Sequence, residues 1–183
     1  MSKPNKPQAL AADVYTIDPV HSTILFSVKH MMISHVPGHF GQFEGTISVD
    51  PNDLADSSFS ATIQVSSIDT HFQQRDDHLK SPDFFDAAKY PVITFASKSI
   101  TAQKGEYILT GDLMIKGKTK EISFPVAING PVKDMQGSSR IGICGQLTIN
   151  RRDYGMSFNM PLDNGGVMVG NDVKVDINIE AKK

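Results

Sequence analysis

The sequence predicts an all-β fold in which eight antiparallel strands form one barrel. Apolar and polar residues alternate with a period of two along eight segments of the chain. The links after the fourth, fifth and sixth segments are short and rich in turn-forming residues, as is typical of antiparallel neighbours. The 183 residues suit one domain, and closing the sheet into a barrel removes its exposed edges. A two-sheet sandwich is the main alternative.

The first three segments are residues 22–31, 40–50 and 59–66, where apolar side chains alternate with polar or small ones. Successive side chains of a strand point to opposite faces, so the apolar set should face the barrel interior. The residues that we expect to line this interior are Ile24, Phe26, Val28, Phe43, Ile47, Val49 and Ile63.

Residues 70–89 interrupt the pattern, because they lack alternation and are rich in charge. They predict a short helical insertion between the third and fourth main strands. Ser81 followed by Pro82 fits a helix cap with proline at the first helical position. Phe84 and Phe85 should then plug one end of the barrel and line its interior.

The last five segments are residues 92–100, 107–116, 121–129, 139–150 and 169–180. The final one has an almost perfect binary pattern, since Val173 alternates with Lys174 and its successors do likewise. A long loop at residues 151–166 should place Met156 and Phe158 at the interior. The interior residues that we expect from the five strands are Phe95, Leu113, Phe124, Leu147, Val175 and Ile177.

Composition and charge exclude several classes of protein. The net charge is −2 without any basic stretch, so nucleic acid is not an expected partner. No apolar run approaches the ~20 residues of a membrane span. Residues 1–13 should form a flexible arm before a domain at 14–183. Without an export signal the chain should be cytoplasmic. Ala9-Leu10-Ala11 resembles the small-residue end of a cleaved signal, and the protein should be periplasmic if a leader has been removed.

A barrel of eight strands either fills its interior with side chains or holds one small ligand. A long isoprenoid fits the second case, because each buried CH₂ contributes roughly 0.8 kcal/mol and each isoprene unit about 3 kcal/mol. Several units would exceed the ~4–15 kcal/mol cost of association. We therefore expect a bound isoprenoid lipid and no catalytic cofactor.

Several motifs together resemble the YceI-like, polyisoprenoid-binding family across residues 15–183. They include 15–22 (YTIDPVHS), 75–79 (RDDHL), 81–85 (SPDFF), 149–151 (INR) and 153–155 (DYG). Tyr15 stands where this family often has Trp, and Met114 where Thr is usual. The resemblance implies a lipocalin-like barrel that binds polyprenyl diphosphates, isoprenoid quinones or similar amphiphiles without turnover. It also implies a homodimer. We expect the protein to act as a carrier or reservoir and to exchange its lipid with a membrane without spanning it.

Arg75 and His78 are the candidate contacts for a lipid head group, since Arg can pair with phosphate and His can bond a phosphate or quinone oxygen. His30 is a third candidate, because it continues the apolar face of its strand. A head-group role predicts that Arg75→Ala weakens binding of diphosphate lipids at a nearly unchanged Tm. The alternative is a structural role, in which the charged cluster pins the insertion to the barrel.

Two other functions remain open at this point. An enzyme acting on an apolar substrate could use Asp76, Asp77 and His78 as acid–base groups. A pure interaction module would have a barrel filled by its own side chains.

We expect no metal site, because the spacing of His30, His35 and His39 does not bring three ligands together. No catalytic residue is expected either, since no nucleophile motif surrounds Ser22. Arg151 should hold the long loop to the barrel.

Overall fold

The computed structural model describes residues 12–50, 53–103, 106–163 and 165–183. Most of the predicted arm, residues 1–11, lies outside the described residues, and the first strand begins at Asp13. One α-helix, α1 (Gln73–Lys80), lies in the described part of the chain. The strands there are β1 (Asp13–Ile17), β2 (Thr23–His30), β3 (Ser34–Phe40), β4 (Phe43–Val49), β5 (Ser58–Gln64), β6 (Ile68–Asp69), β7 (Val92–Gln103), β8 (Glu106–Ile115), β9 (Lys118–Lys133), β10 (Ser139–Asn150) and β11 (Val169–Lys182).

These strands form a closed eight-stranded antiparallel barrel, which confirms the predicted fold class. The barrel wall has eight positions, which we call staves, and each is formed by one strand or by two strands in succession. Three staves are broken in this way: β1 continues as β2, β3 as β4, and β5 as β6. β7 pairs with β5, and β7 to β10 then follow in order, each paired with the next. β11 closes the barrel, because it pairs with β10 on one side and with both β1 and β2 on the other.

The break between β1 and β2 is a turn that begins at Asp18, whose carbonyl accepts from the His21 N–H at 3.2 Å. The Ser22 hydroxyl donates to the Asp18 carbonyl at 2.7 Å and to the Glu180 carbonyl at 3.1 Å, and it accepts from the Glu180 N–H at 2.9 Å. The Ser22 side chain thus forms hydrogen bonds with β11 at the point where the backbone pairing of β11 passes from β1 to β2. The strand can bend there without leaving buried backbone groups unpaired.

β3 differs from the sequence prediction, which placed no strand between residues 31 and 40. Its sequence contains Pro37 and Gly38 and shows no alternation, so it carries no strand signal. Tertiary packing explains it, because Gly38 leaves room for the Phe26 ring. A Cβ at Gly38 would lie 2.3 Å from Phe26 Cζ.

The insertion contains a short helix, as predicted, but not at the predicted cap. α1 ends at Lys80, and the Ser81 N–H donates to the His78 carbonyl as part of the helix end. Ser81 therefore closes a helix and does not begin one. Successive turns follow it, in which the Ser81 carbonyl accepts from the N–H groups of Phe84 and Asp86.

The two ends of the barrel differ. At the end where β10 begins and β11 finishes, buried side chains fill the interior, namely those of Tyr15, Ile100, Ile141 and Ala181. At the opposite end, α1, the turns that follow it and a 3-10 helix (Arg151–Tyr154) cover the barrel. We call these the filled end and the capped end.

Candidate functional site

An elongated apolar cavity of about 220 Å³ runs through the barrel between its two ends. Residues of all eight staves line it, and nearly all of them are aliphatic or aromatic. Ser60 contributes only its backbone, because its hydroxyl bonds the Thr46 hydroxyl on the exposed face at 3.0 Å. Arg151 is the one charged residue of this lining.

The structure places most of the predicted interior residues in the cavity wall. These are Ile24, Phe26, Val28, Ile47, Ile63, Phe84, Phe85, Phe95, Leu113, Phe124, Leu147, Met156, Val175 and Ile177. That these side chains contact a lipid stays a prediction.

Three predicted residues lie outside the wall. Phe43 and Val49 are the first and last residues of β4, where they pack against the core beyond the cavity. Phe158 lies behind the cap, and its ring centroid is 5.3 Å from that of Phe84 and 4.8 Å from that of His78. These three side chains extend the core around the cavity.

Sequence reasoning missed many wall residues. Several continue the same alternating faces, so that the pattern already contained them: Leu109, Ile122, Val126, Ile143, Ile149, Val173 and Ile179. Ile17 and Phe40 also line the cavity. Ile17 lies in β1, which gave no strand signal, and Phe40 begins the predicted segment 40–50 but is the last residue of β3.

Aromatic contacts join the cap to the barrel wall. The Phe85 ring meets Phe40 edge-on at 6.0 Å between centroids, and Phe40 lies 5.6 Å from Phe26. Leu79 of α1 also lines the cavity. The insertion thus closes over the interior with apolar side chains.

Arg75 lies outside the cavity wall. Its Nε donates to the Thr70 hydroxyl and its Nη2 to the Thr70 carbonyl, each at 2.7 Å. Asp76 is buried and accepts from the Thr70 N–H at 2.9 Å and from the Thr70 hydroxyl at 2.5 Å. These contacts favour the structural interpretation of the cluster, while head-group contact by Arg75 stays a prediction.

His78, Asp77 and His30 are also absent from the wall. His78 Nε2 lies 2.9 Å from Asp83 Oδ2. Asp77 is exposed and accepts from Gln73 Nε2 at 2.8 Å. His30 is half-buried at the end of β2, opposite Val169. The structure therefore does not bring Asp76, Asp77 and His78 together inside the cavity.

The local sequence turns Arg151 inward at the capped end. The Asn150 side chain caps the 3-10 helix by accepting from the Arg152 N–H at 2.9 Å. Gly155 ends the helix with φ of 77°, in the left-handed region that favours glycine. Only 3% of Arg151 is exposed.

The Arg151 guanidinium is held by backbone carbonyls. Nε donates to Gly170 at 2.8 Å, Nη1 to Met156 at 2.8 Å and Nη2 to Val169 at 3.3 Å. Its predicted role of tying the loop to the barrel is confirmed. Within the described parts of the chain, no Asp or Glu oxygen lies within 4.0 Å of it. Burial lowers the pKa of this guanidinium, and the nearby Arg152 adds to the effect.

A cleft separates β9 from β10 in the half of the barrel nearer the cap. The ladder between these strands ends at the pair Val126 and Gly145, next to Pro125, which has no N–H to donate. Beyond that point each strand pairs only with its other neighbour. The cleft shares four lining residues with the cavity, namely Ile122, Phe124, Leu147 and Val175.

A charged cluster lies outside the filled end, and sequence reasoning did not predict it. Asp18, His21 and Glu180 place atoms of metal-ligating type within 4.8 Å of one another. The Nη1 atom of Arg140 already occupies this group, at 3.0 Å from Asp18 Oδ2 and 2.6 Å from Glu180 Oε1. Arg140 first and His21 second lower the pKa of Asp18 to about 2. The arrangement is that of an ion-pair network.

Comparison with known proteins identifies relatives along almost the whole chain. A family model described as the YceI-like domain matches residues 15–181. A UPF0312 protein of Staphylococcus aureus (strain N315) is 45% identical over 167 residues, which are 91% of this chain and 95% of the relative.

Solved structures also share the fold. BcnA of Burkholderia cenocepacia has a TM-score of 0.77 at 28% identity, covering 90% of this chain and 98% of that one. A Campylobacter jejuni YCEI protein has a TM-score of 0.71 at 32% identity, with 85% and 89% covered. A polyisoprenoid binding domain from Saccharophagus degradans has a TM-score of 0.68 at 16% identity, with 91% and 97% covered. That last likeness concerns the fold alone.

No helix in the described part of the chain has the length and apolar character needed to cross a bilayer.

Proposed function

The chain belongs to the YceI-like family, and on that basis we propose that it holds one long apolar lipid of the isoprenoid kind in its barrel. The lipid is a polyprenyl diphosphate, an isoprenoid quinone or a similar amphiphile. The protein acts as a carrier or reservoir and does no chemistry on it. The observation that carries this proposal is the elongated cavity, whose lining is apolar apart from Arg151.

The shape and chemistry of the cavity support a flexible hydrocarbon chain over a compact polar substrate. Transfer of each CH₂ from water contributes roughly 0.8 kcal/mol, and the wall supplies apolar partners along the whole length of the cavity. The Saccharophagus degradans domain of the same fold is described as polyisoprenoid-binding. The acid–base candidates Asp76, Asp77 and His78 lie outside the wall, which favours binding without catalysis.

The cleft between β9 and β10 offers the ligand a lateral route. Its floor is apolar where it meets the cavity, at Phe124 and Leu147, and its outer rim is polar, at Ser123 and Thr148. A tail can leave here without unfolding either end of the barrel. Lipid exchange by this route requires only that the segments of β9 and β10 beyond Val126 and Gly145, which are not paired with each other, move apart.

Exposed apolar side chains near the capped end support exchange with a membrane. Met31, Met32 and Ile33 form the turn between β2 and β3 and are 40%, 46% and 83% exposed. The Met31 N–H donates to the Met168 carbonyl, which brings this turn beside the loop that carries the exposed Met160. The homodimer and the compartment stay predictions.

Filling the cavity tests the proposal. Ile177 lines the cavity, while the next residue, Asn178, is exposed on the outer face of β11. We expect Ile177→Trp to remove most of the lipid that co-purifies with the protein, because the indole occupies the space of the tail. Mass spectrometry of organic extracts measures the lipid, and circular dichroism measures folding.

The matched control is Asn178→Trp, which should retain the lipid of the wild type. The proposal fails if the wild-type protein neither carries nor rebinds any prenyl lipid after delipidation. It also fails if the folded Ile177→Trp variant binds such lipids as well as the wild type does.

A further inference from the structure

We propose that Arg151 is a binding residue for an oxyanion at the polar end of the ligand, a carboxylate or phosphate oxygen held inside the barrel beneath the cap. The inference rests on the proposed function and specifies the head group and its orientation.

No carboxylate forms an ion pair with Arg151 among the described residues. The residue is 3% exposed, and its described partners are three neutral carbonyl oxygens and the face of the Phe84 ring. A buried cation without a counter-charge is costly unless an anion or several dipoles offset the loss of hydration. The ion pairs described for an arginine here are those of Arg140, which lie on the outside of the barrel, so the buried and unpaired Arg151 is distinct.

The guanidinium also has donors to spare. An arginine carries five N–H groups in a fixed fork, and the three described hydrogen bonds use three of them. The same residue lines the cavity. A ligand oxyanion there would accept charge-assisted hydrogen bonds, which are about twice as strong as neutral ones.

The position of Arg151 fixes the orientation of the ligand. It follows the last residue of β10 at the capped end, and its guanidinium carbon is 6.0 Å from the centroid of the Phe84 ring in the cap. Toward the filled end the cavity is lined by Ile143, Leu109 and Ile179. The head group therefore lies beneath the cap, and the tail runs toward the filled end.

Ligands that share one tail test the inference. The delipidated full-length protein is titrated with geranylgeranoic acid, geranylgeranyl monophosphate and geranylgeraniol, and displacement of a fluorescent lipid reports affinity. We expect at least one of the two anions to bind tenfold or more tightly than the alcohol at pH 7.5. The ratio between the two anions distinguishes a carboxylate site from a phosphate site.

Equal affinity for the alcohol and both anions would overturn the role of Arg151 while leaving lipid binding intact. Failure of all three ligands to bind would overturn the proposed function and this inference together.

Variants test whether Arg151 causes the preference for anions over the alcohol. Arg151→Met should reduce the ratio of anion to alcohol affinity to about one, and Arg151→Lys should keep part of it. Arg152→Met is the matched control, because the neighbouring Arg152 is exposed and absent from the wall, and it should keep most of the ratio. A preference that a folded Arg151→Met variant preserves in full would contradict the assignment.

Because Arg151 also ties the loop to β11, its variants could lose the fold. In that case the inference is tested on the wild-type protein alone, by measuring the pKa of bound ¹³C-carboxyl-labelled geranylgeranoic acid. We expect the pKa of the bound carboxyl to fall below that of the free acid in detergent, since a neighbouring cation favours the charged form. A raised pKa would mean an apolar head-group site and would overturn the inference.

Discussion

Asp76 has the contacts of a structural carboxylate. It is buried, and both of its described donors come from Thr70 at the start of the insertion. Arg75 bonds the same threonine. Three neighbouring polar groups thus satisfy one another and hold α1 against the chain that precedes it.

We expect Asp76→Ala to lower the free energy of unfolding by about 1–3 kcal/mol, because it leaves buried Thr70 donors without an acceptor. Urea denaturation measures the change. The adjacent Asp77→Ala is the control, since Asp77 is exposed, and it should shift stability by less than about 0.5 kcal/mol. Equal losses for the two variants would show that the contacts of Asp76 do not stabilise the cap.

At the scale of residues, the sequence predicted side-chain direction well within regular strands. Period-two alternation is a local property, so it correctly assigned Phe26, Phe124 and Val175 to the inner face. It could not predict that Arg151 would line the cavity, because its inward direction depends on a 3-10 helix that follows the strand. Phe43 and Val49 show the converse error. The alternating pattern assigned them to the cavity wall, but they lie at the ends of β4, beyond the cavity.

Among the elements, the interrupted pairing of β9 and β10 has the clearest consequence for exchange. Extending their register beyond Val126 and Gly145 sets Ser123 opposite Thr148, and both side chains are exposed at the cleft. A covalent link between these positions would hold the cleft closed without entering the cavity.

We expect a short bis-maleimide link between Ser123→Cys and Thr148→Cys to slow lipid transfer from the protein to vesicles by tenfold or more. Cys144 is free and exposed, so the pair is made in a Cys144→Ser background. The same protein treated with N-ethylmaleimide is the control for chemical modification. Unchanged transfer from the linked protein would exclude the cleft as the route.

The elements that the sequence did not predict share a physical cause. β1 and β6 are short, and β3 contains Pro37 and Gly38, so none of the three has a long enough or regular enough pattern. Each is one half of a broken stave, and it is stabilised by its partner strand more than by its own residues. Conversely, β10 and β11 are long and strongly patterned, and their positions were predicted closely.

For the molecule as a whole, the network around Arg140 predicts how stability depends on pH. Arg140 lowers the pKa of Asp18 to about 2 and also lowers that of Asp134. Carboxyls whose pKa is lower in the folded state stabilise the protein above their unfolded pKa of about 4. This stabilisation is lost as the pH falls from about 4 toward 2.

We therefore expect Arg140→Gln to lower the Tm at pH 7 and to flatten the decline of Tm between about pH 4 and pH 2. Differential scanning calorimetry across this range measures both effects. Lys98→Gln removes ion pairs that are much more exposed, so its acid profile should follow the wild type. A decline as steep in Arg140→Gln as in the wild type would contradict the role given to this network.

The manner in which β11 closes the barrel determines, on the proposed function, when a lipid can first be enclosed. This strand joins β10 to β1 and β2, and it contributes Val169, Val173, Val175, Ile177 and Ile179 to the cavity wall. Until it has paired on both sides, the wall lacks one of its eight positions and the chamber stays open along its length. We therefore expect stable retention of a lipid only after this long-range pairing has formed, which is a late step for contacts so distant in sequence.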